Sequence, residues 1–168
     1  MAPPDEVLHV YVAASSRRLV EVRRLALEAV LRAGHWPGGT GILAGDPPDP
    51  ARLIPGWIAA ADVLLIIVGR DGGGESPEAG TSLAAWELGL ARARGLPVIA
   101  VALADEESSA RRRAPAAEGE GAGLRERLIA EGAATVEHAE GLKVAIYEGL
   151  AAAAQGGARG WVREGAAR

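Results

Sequence analysis

Cysteine is absent from this chain of 168 residues, which excludes disulfide bonds and thiol chemistry. Phenylalanine is also absent and methionine occurs once, so the core has to be built from valine, leucine, isoleucine and four tryptophans. The histidines, His9, His35 and His138, lack the spacing of zinc ligands, and we expect no metal site. The absence of cysteine is consistent with the cytoplasm, which is where we expect this protein.

Long apolar runs and a strong excess of one charge are missing too. No apolar run approaches the roughly 20 residues that a membrane-spanning helix needs, and residues 1–6 lack a secretion signal pattern. The formal net charge of −4, with both signs spread along the chain, gives no basic face for nucleic acid. The basic pair Arg23-Arg24 is interpreted as a solvated helix face. We therefore expect a domain that binds neither membranes nor nucleic acid.

Strand and helix patterns alternate about five times along the chain. Pro55-Gly56 should bend or delay the second helix. The polar stretch 105–123 predicts a long mobile loop, and residues 156–168 predict a flexible tail or linker after a single domain over 1–155. The predicted strands are 7–12, a short one within 35–43, 62–68, 96–103 and 134–137; the predicted helices are 17–33, 51–61, 81–92, 124–131 and 139–155.

This alternation predicts an α/β fold of the flavodoxin-like type, a five-stranded parallel sheet with helices on both faces. The common strand order for such a sheet is 2-1-3-4-5, which sets the first and third strands side by side. Ligands bind at the carboxyl ends of those two strands. In this chain the two ends carry Ser15 and Ser16 after the first strand, and the glycine-rich loop that starts at Gly69 after the third.

Glu87 is the most informative residue, because it lies where a helix should be apolar. Its neighbours three and four positions away are all apolar: Leu83, Ala84, Leu90 and Ala91. A buried carboxylate without a partner costs several kcal/mol, roughly, so a chain keeps one for a partner or for a task. One interpretation is an ion pair with Arg70 or Arg94. The other is a catalytic or ribose-binding carboxylate on a pocket wall.

Other candidate ligand contacts lie at the same strand ends. Ser15 and Ser16 either cap the first helix or help to hold a phosphate. In the loop Gly69-Arg70-Asp71-Gly72, the glycines let the backbone approach a ligand, Arg70 could neutralise a phosphate, and Asp71 could take a ribose hydroxyl or form the turn. Trp86 could stack on a base or belong to the core.

Several other sites are disfavoured. The glycine loop is neither a Walker A motif nor a dinucleotide fingerprint after the first strand. Asp62 begins the third strand, at the opposite edge of the sheet, and is interpreted as structural. No Ser-His-Asp set is assembled. A carboxylate in an apolar wall beside phosphate-friendly loops suits cleavage of an N-glycosidic bond, with Glu87 as nucleophile or as stabiliser of an oxocarbenium-like transition state.

Three segments, in this order and spacing, resemble the DUF4062 group of TIR-like domains: VYVAASSRRLVEVRRLALEAVLRAGHWP, ADVLLIIVGRDGG and SLAAWELGLARARGLPVIAV. Such domains are often found in bacterial signalling and defence proteins. More distantly, the stretch GTSLAAWELGLARARGLPVIAV is similar to the signature of nucleoside 2-deoxyribosyltransferases. TIR domains that cleave NAD carry a glutamate on the helix after the third strand, and Glu87 is the matching residue in both cases.

The resemblance implies two alternative functions. The first is a nucleotide- or NAD-binding domain that cleaves an N-glycosidic bond, with NAD or a nucleoside as substrate and no cofactor. The second is a catalytically inactive module that self-associates or docks to a larger signalling protein, in which Glu87 is salt-bridged and the crevice is filled by side chains. Asp71-Gly72 stands where the family pattern has tyrosine-glycine, so the resemblance leaves both open.

Overall fold

The computed structural model describes residues 6–14, 19–39, 49–69, 76–104, 122–157 and 161–162. Its centre is a five-stranded parallel sheet. The strands of this sheet are β2 (His9–Ala13), β3 (Trp36–Gly38), β4 (Val63–Val68), β5 (Val98–Leu103) and β6 (Ala134–Val136). Two further strands, β1 (Glu6–Val7) and β7 (Trp161–Val162), form a separate antiparallel pair.

The strands of the large sheet lie in the order β3-β2-β4-β5-β6. Numbered within that sheet alone, this is the predicted order 2-1-3-4-5. The first strand of the sheet therefore lies beside its third, in a register that pairs Tyr11 with Leu64. All six residues of β4 are buried, as expected for an apolar central strand covered on both faces.

Five helices connect the strands: α1 (Val20–Arg32), α2 (Pro50–Ala59), α3 (Leu83–Ala93), α4 (Ala122–Ala130) and α5 (Ala139–Gln155). Their positions match the five predicted helices closely. Of the two expected effects of Pro55-Gly56, a bend or a delay, the delay is wrong, because α2 begins at Pro50 and runs through Pro55. Asp49 caps α2 by accepting from the Arg52 N–H at 3.2 Å, and Pro50 opens the helix at a position where no amide donor is needed.

Two apolar layers cover the sheet, one on each face. Alternate residues of a strand point to opposite faces, so Val10 and Val12 pack with α1 and α5, whereas Tyr11 and Ala13 pack with α2, α3 and α4. The second layer is the one that contains the helix of Glu87. The fold therefore brings the central strands and α3 together on one face.

Two details add to the sequence interpretation. Within the predicted tail, Trp161–Val162 pairs with Glu6–Val7, a contact between residues near opposite ends of the chain. The glycines of the second predicted strand have a packing role, because Gly39 has φ +112° and a Cβ there would lie 2.8 Å from the Val12 carbonyl oxygen. Among the described residues, no helix is both long and apolar enough to span a membrane.

Candidate functional site

Glu87 lies in the second turn of α3, on the side that faces the sheet. The helix begins after Ser82, whose buried hydroxyl accepts from the Ala85 N–H at 3.2 Å and so fixes the start of the helix. The apolar positions Ala84, Leu88 and Ala91 are buried against the sheet, and Glu87 is buried with them at 0% exposure. The sequence prediction that Glu87 lies on the apolar face of this helix is confirmed.

Tyr11 of β2 holds the Glu87 carboxylate. Its hydroxyl donates to Glu87 Oε1 at 2.7 Å, and the tyrosine itself is 1% exposed. A hydrogen bond of this length to a charged acceptor is of the strong, charge-assisted kind. The acid and the phenol therefore form a buried pair across the first strand of the sheet and the helix that follows its third strand.

The tyrosine in this pair remains a proton donor. Burial raises the pKa of Tyr11 far above its ordinary value of 10, and the negative charge of Glu87 and the hydrogen bond to it raise the pKa further. The phenol is consequently protonated at any physiological pH. It can orient the carboxylate and disperse its charge, but it cannot act as a general base.

Sequence reasoning did not select Tyr11. The available signal is a single phenol in the otherwise aliphatic end of the run VLHVYV, since the hydroxyl of a buried tyrosine normally has a hydrogen-bond partner. That rule predicts that a partner exists. It does not identify Glu87, which is 76 residues further along the chain.

Most of the predicted ligand contacts fall outside the described part of the chain, namely Ser15, Ser16, Arg70, Asp71 and Gly72. The proposed ion pair between Glu87 and Arg70 falls there as well. Arg94, the other proposed partner, is exposed at the C-terminal end of α3. Among the described residues, the hydrogen bond to Glu87 comes from Tyr11.

Gly69 and Trp86 are described. Gly69 is half-buried directly after β4, at the carboxyl edge where the sequence places the ligand loop. Trp86 is half-buried and packs against the apolar layer on the face of α2, α3 and α4. Trp86 therefore has a core contact, and its predicted stacking on a base stays a prediction.

Two arginines also reach the carboxyl edge of the sheet. Arg23 Nε donates to the Ala14 carbonyl oxygen at 2.9 Å, and Arg125 Nε donates to the Leu103 carbonyl oxygen at 3.0 Å. The sequence interpretation of Arg23-Arg24 as a solvated face holds only for Arg24, which is 64% exposed and pairs with Glu21. Arg23 instead binds the backbone just beyond the end of β2.

At the opposite edge, Asp62 is structural, as the sequence predicts. Its Oδ2 accepts from the His9 N–H at 2.7 Å, and the His9 carbonyl oxygen accepts from the Asp62 N–H at 2.8 Å. His35 Nδ1 accepts from the Leu8 N–H at 3.1 Å. No group of metal-binding side chains occurs among the described residues.

A groove of about 220 Å³ lies between α3 and α4. Its apolar wall includes Leu88, Leu124 and Leu128, and an ion pair between Arg92 and Glu131 joins the two helices there. The groove does not include Glu87 or Tyr11. It is therefore separate from the buried pair.

The strand order, the layered helices and the acid on the helix after the third strand define an α/β domain of the flavodoxin-like class. The family model for a domain of unknown function, DUF4062, matches residues 9–151. The chain belongs to that family. No curated protein and no solved structure matches it.

Proposed function

We propose that this domain binds a nucleotide, NAD or a nucleoside at the carboxyl edge of β2 and β4 and cleaves its N-glycosidic bond with Glu87. The observation that carries the proposal is the Glu87 carboxylate, wholly buried on an apolar helix face and held by the Tyr11 hydroxyl at 2.7 Å. A carboxylate in a low-dielectric wall interacts more strongly with developing positive charge than one in water does. The hydrogen bond from the Tyr11 hydroxyl orients the carboxylate, which fits the same task.

The reaction proceeds at the sugar C1′ atom. A Glu87 oxygen forms a bond to C1′ while the C1′–N bond breaks and its electron pair leaves with the base. Water, or the hydroxyl or nitrogen of an acceptor, then attacks C1′ and displaces the carboxylate, and its proton passes to the released base or to solvent. Tyr11 keeps the carboxylate in one orientation through both steps, because its own proton is held firmly.

The biological setting is part of the same proposal. Resemblance to TIR-like domains supports a role in bacterial signalling or defence, in the cytoplasm, with self-association or a larger signalling protein as partner. No resident cofactor is needed, because the nucleotide is itself the substrate. Candidate substrate contacts remain Ser15, Ser16, Gly69, Arg70, Asp71, Gly72 and Trp86.

The test is the substitution Glu87→Gln, which keeps the shape of the side chain and can still accept from Tyr11. Turnover of NAD or of a 2′-deoxynucleoside, followed by chromatography of the released base, should fall by about a thousandfold or more. Glu148→Gln, a change of an exposed acid on α5, is the matched control and should leave turnover unchanged. Equal turnover in the wild type and in Glu87→Gln, or none in either, contradicts the proposal.

Complete burial favours a second candidate function, an inactive interaction module. Glu87 is 0% and Tyr11 1% exposed, so a sugar reaches the carboxylate only if the groups that cover it move. In an interaction module the pair serves the fold alone. Glu87→Gln would then lower the melting temperature of a protein that has no turnover to lose, and sedimentation would show concentration-dependent self-association.

A further inference from the structure

Two guanidinium groups flank the carboxyl end of the central strand β4. In the sheet, β4 lies between β2 and β5. Arg23 binds the carbonyl oxygen of Ala14, just past β2, and Arg125 binds that of Leu103, the last residue of β5. At the end of each flanking strand, a backbone carbonyl oxygen therefore accepts from an arginine Nε. Both cations lie at the edge where ligands of such sheets bind.

Arg125 is on the same face of the sheet as Glu87. Leu124 and Leu128 of α4 pack in the apolar layer that also contains Ala84 and Leu88 of α3. Arg125 stands in the first turn of α4 and reaches the carboxyl end of β5. Glu87 stands in the second turn of α3, which begins after the neighbouring strand β4. One face of the sheet thus holds the acid and this arginine, with the arginine at the carboxyl edge.

The charge of Arg125 is poorly compensated. Its side chain is 14% exposed, and its acidic neighbour in the described part of the chain, Glu126, is 63% exposed and 3.5 Å away from Nη1. Charge-assisted bonds between nitrogen and oxygen are typically about 2.7–2.9 Å, so this contact is weak. A guanidinium has five N–H donors, and the bond from Nε to Leu103 uses one of them.

The bond to Leu103 also orders the side chain in advance. An arginine that is already fixed loses less conformational entropy when it binds a ligand. Its planar fork matches the geometry of a phosphate, to which it can donate two parallel hydrogen bonds. A covered, anchored and weakly paired guanidinium at this edge is suited to an anionic group of the ligand.

We propose that Arg125 binds a phosphate group of the ligand, so that this domain selects a phosphorylated nucleotide, including a dinucleotide such as NAD, over a free nucleoside. The inference rests on the proposed function, since it assumes that the ligand occupies the edge near Glu87. It deepens that function by assigning the substrate class. Arg125 is a specificity residue here and takes no part in breaking the bond.

The experiment measures binding without turnover. Calorimetry on the full chain carrying Glu87→Gln compares ADP, AMP and adenosine as probes. We expect ADP to bind at least tenfold more tightly than adenosine. Adding Arg125→Gln should reduce the affinity for ADP to that for adenosine, while the affinity for adenosine stays the same, which also shows that the variant is folded.

Two further variants sharpen the result. Arg127→Gln removes an exposed arginine of the same helix, which lines the groove between α3 and α4, and should leave all three affinities unchanged. Arg125→Lys keeps the charge but loses the planar fork, and should restore only part of the preference for ADP. If Arg125→Gln fails to fold, the lysine variant carries the test.

The outcomes separate the two proposals. Equal affinity for ADP and adenosine, no measurable binding of either, or a preference for ADP that survives in Arg125→Gln and Arg125→Lys overturns the role of Arg125. A preference for ADP that depends on Arg125, in a protein whose wild type releases no base from any nucleotide, supports the phosphate site and contradicts only the cleavage reaction.

Discussion

Tyr11 and Glu87 depend on each other for their place in the core. A phenol hydroxyl and a carboxylate are both costly to bury alone, and each satisfies the other at 2.7 Å. Hydrogen bonds to charged groups contribute about 1.5–3 kcal/mol to stability, more than neutral ones do. The pair is therefore a stability determinant of the domain, whatever the domain does with ligands.

Removing the phenol hydroxyl should expose this dependence. Tyr11→Phe should lower the free energy of unfolding by about 1.5–3 kcal/mol, because the buried carboxylate loses a donor. Denaturant unfolding of Tyr11→Phe, Glu87→Gln and the double variant gives the coupling energy of the pair. Tyr147→Phe, at the chain's other tyrosine, half-buried on α5, is the control and should change stability little.

The double variant shows whether Tyr11 and Glu87 are energetically coupled. If the effects of Tyr11→Phe and Glu87→Gln simply add, the two side chains are not energetically coupled, and the bond between them has no role in stability. Coupling of about 1 kcal/mol or more is the expected result for partners in direct contact.

Sequence reasoning predicted one member of this pair, Glu87, and not the other. The helical period placed Glu87 among Leu83, Ala84, Leu90 and Ala91, and its burial followed from that local pattern. The identity of its partner did not, because β2 and α3 are brought together only by the path of the chain through the sheet. The same holds for Arg125, whose carbonyl partner Leu103 is 22 residues away.

At the scale of the secondary-structure elements, α5 packs on β5 at a glycine. A Cβ built on Gly149 would lie 2.5 Å from Ile99 Cγ2 and 3.0 Å from Ile99 Cγ1. Ile99 is branched at Cβ, so these carbons are close to its backbone and have little freedom to move. Gly149 consequently allows the helix to rest on the strand at this distance.

Gly149→Ala should therefore destabilise the domain, although alanine is the better helix former. Overpacking costs about 1–3 kcal/mol, which outweighs the roughly 0.5–1 kcal/mol that alanine contributes in a helix. Gly89→Ala is the matched control: a Cβ there meets nothing within 4 Å, and this variant should raise the melting temperature. Equal stabilisation by both substitutions would show that α5 does not pack closely on β5.

The element boundaries were largely predictable because their signals are local. Asp49 and Pro50 mark the start of α2, and the unbroken apolar run after Asp62 marks a central strand. The pairing of β1 with β7 was not predictable. Each of these strands has only two residues, and nothing in either segment specifies a partner near the other end of the chain.

At the scale of the whole molecule, side chains at the amino edge of the sheet accept hydrogen bonds from the backbone of distant segments. His35, 7% exposed, accepts from the Leu8 N–H through Nδ1 at 3.1 Å, so its neutral ring carries the proton on Nε2. Burial lowers the pKa of His35 below its ordinary value of 6.5. A proton on Nδ1 would remove the acceptor and place a charge in a buried site.

This arrangement makes the stability of the molecule sensitive to acid. Below about pH 6.5 the unfolded chain binds a proton at His35 that the folded protein resists, so the contribution of this residue is present above that pH and is lost as the pH falls through the lower folded pKa. Chemical unfolding between pH 7.5 and 5 should show it. His35→Asn keeps an acceptor near Nδ1 but does not titrate, and its stability should fall less steeply over that range. Identical slopes for the two proteins would exclude His35 as a source of acid sensitivity.

The five helices, the five strands of the large sheet, their order 2-1-3-4-5 and the burial of Glu87 are predictable from the amino-acid sequence, since all of these follow from short-range periodicity and general rules of chain connection. Three contacts are visible only in the folded protein: Tyr11 binds the acid, Arg125 is anchored at the end of β5, and β7 pairs with β1. These contacts join residues distant in the chain, and their geometry depends on where every intervening element packs. The local pattern fixes which side chains are buried; the packing of the whole chain fixes which of them meet.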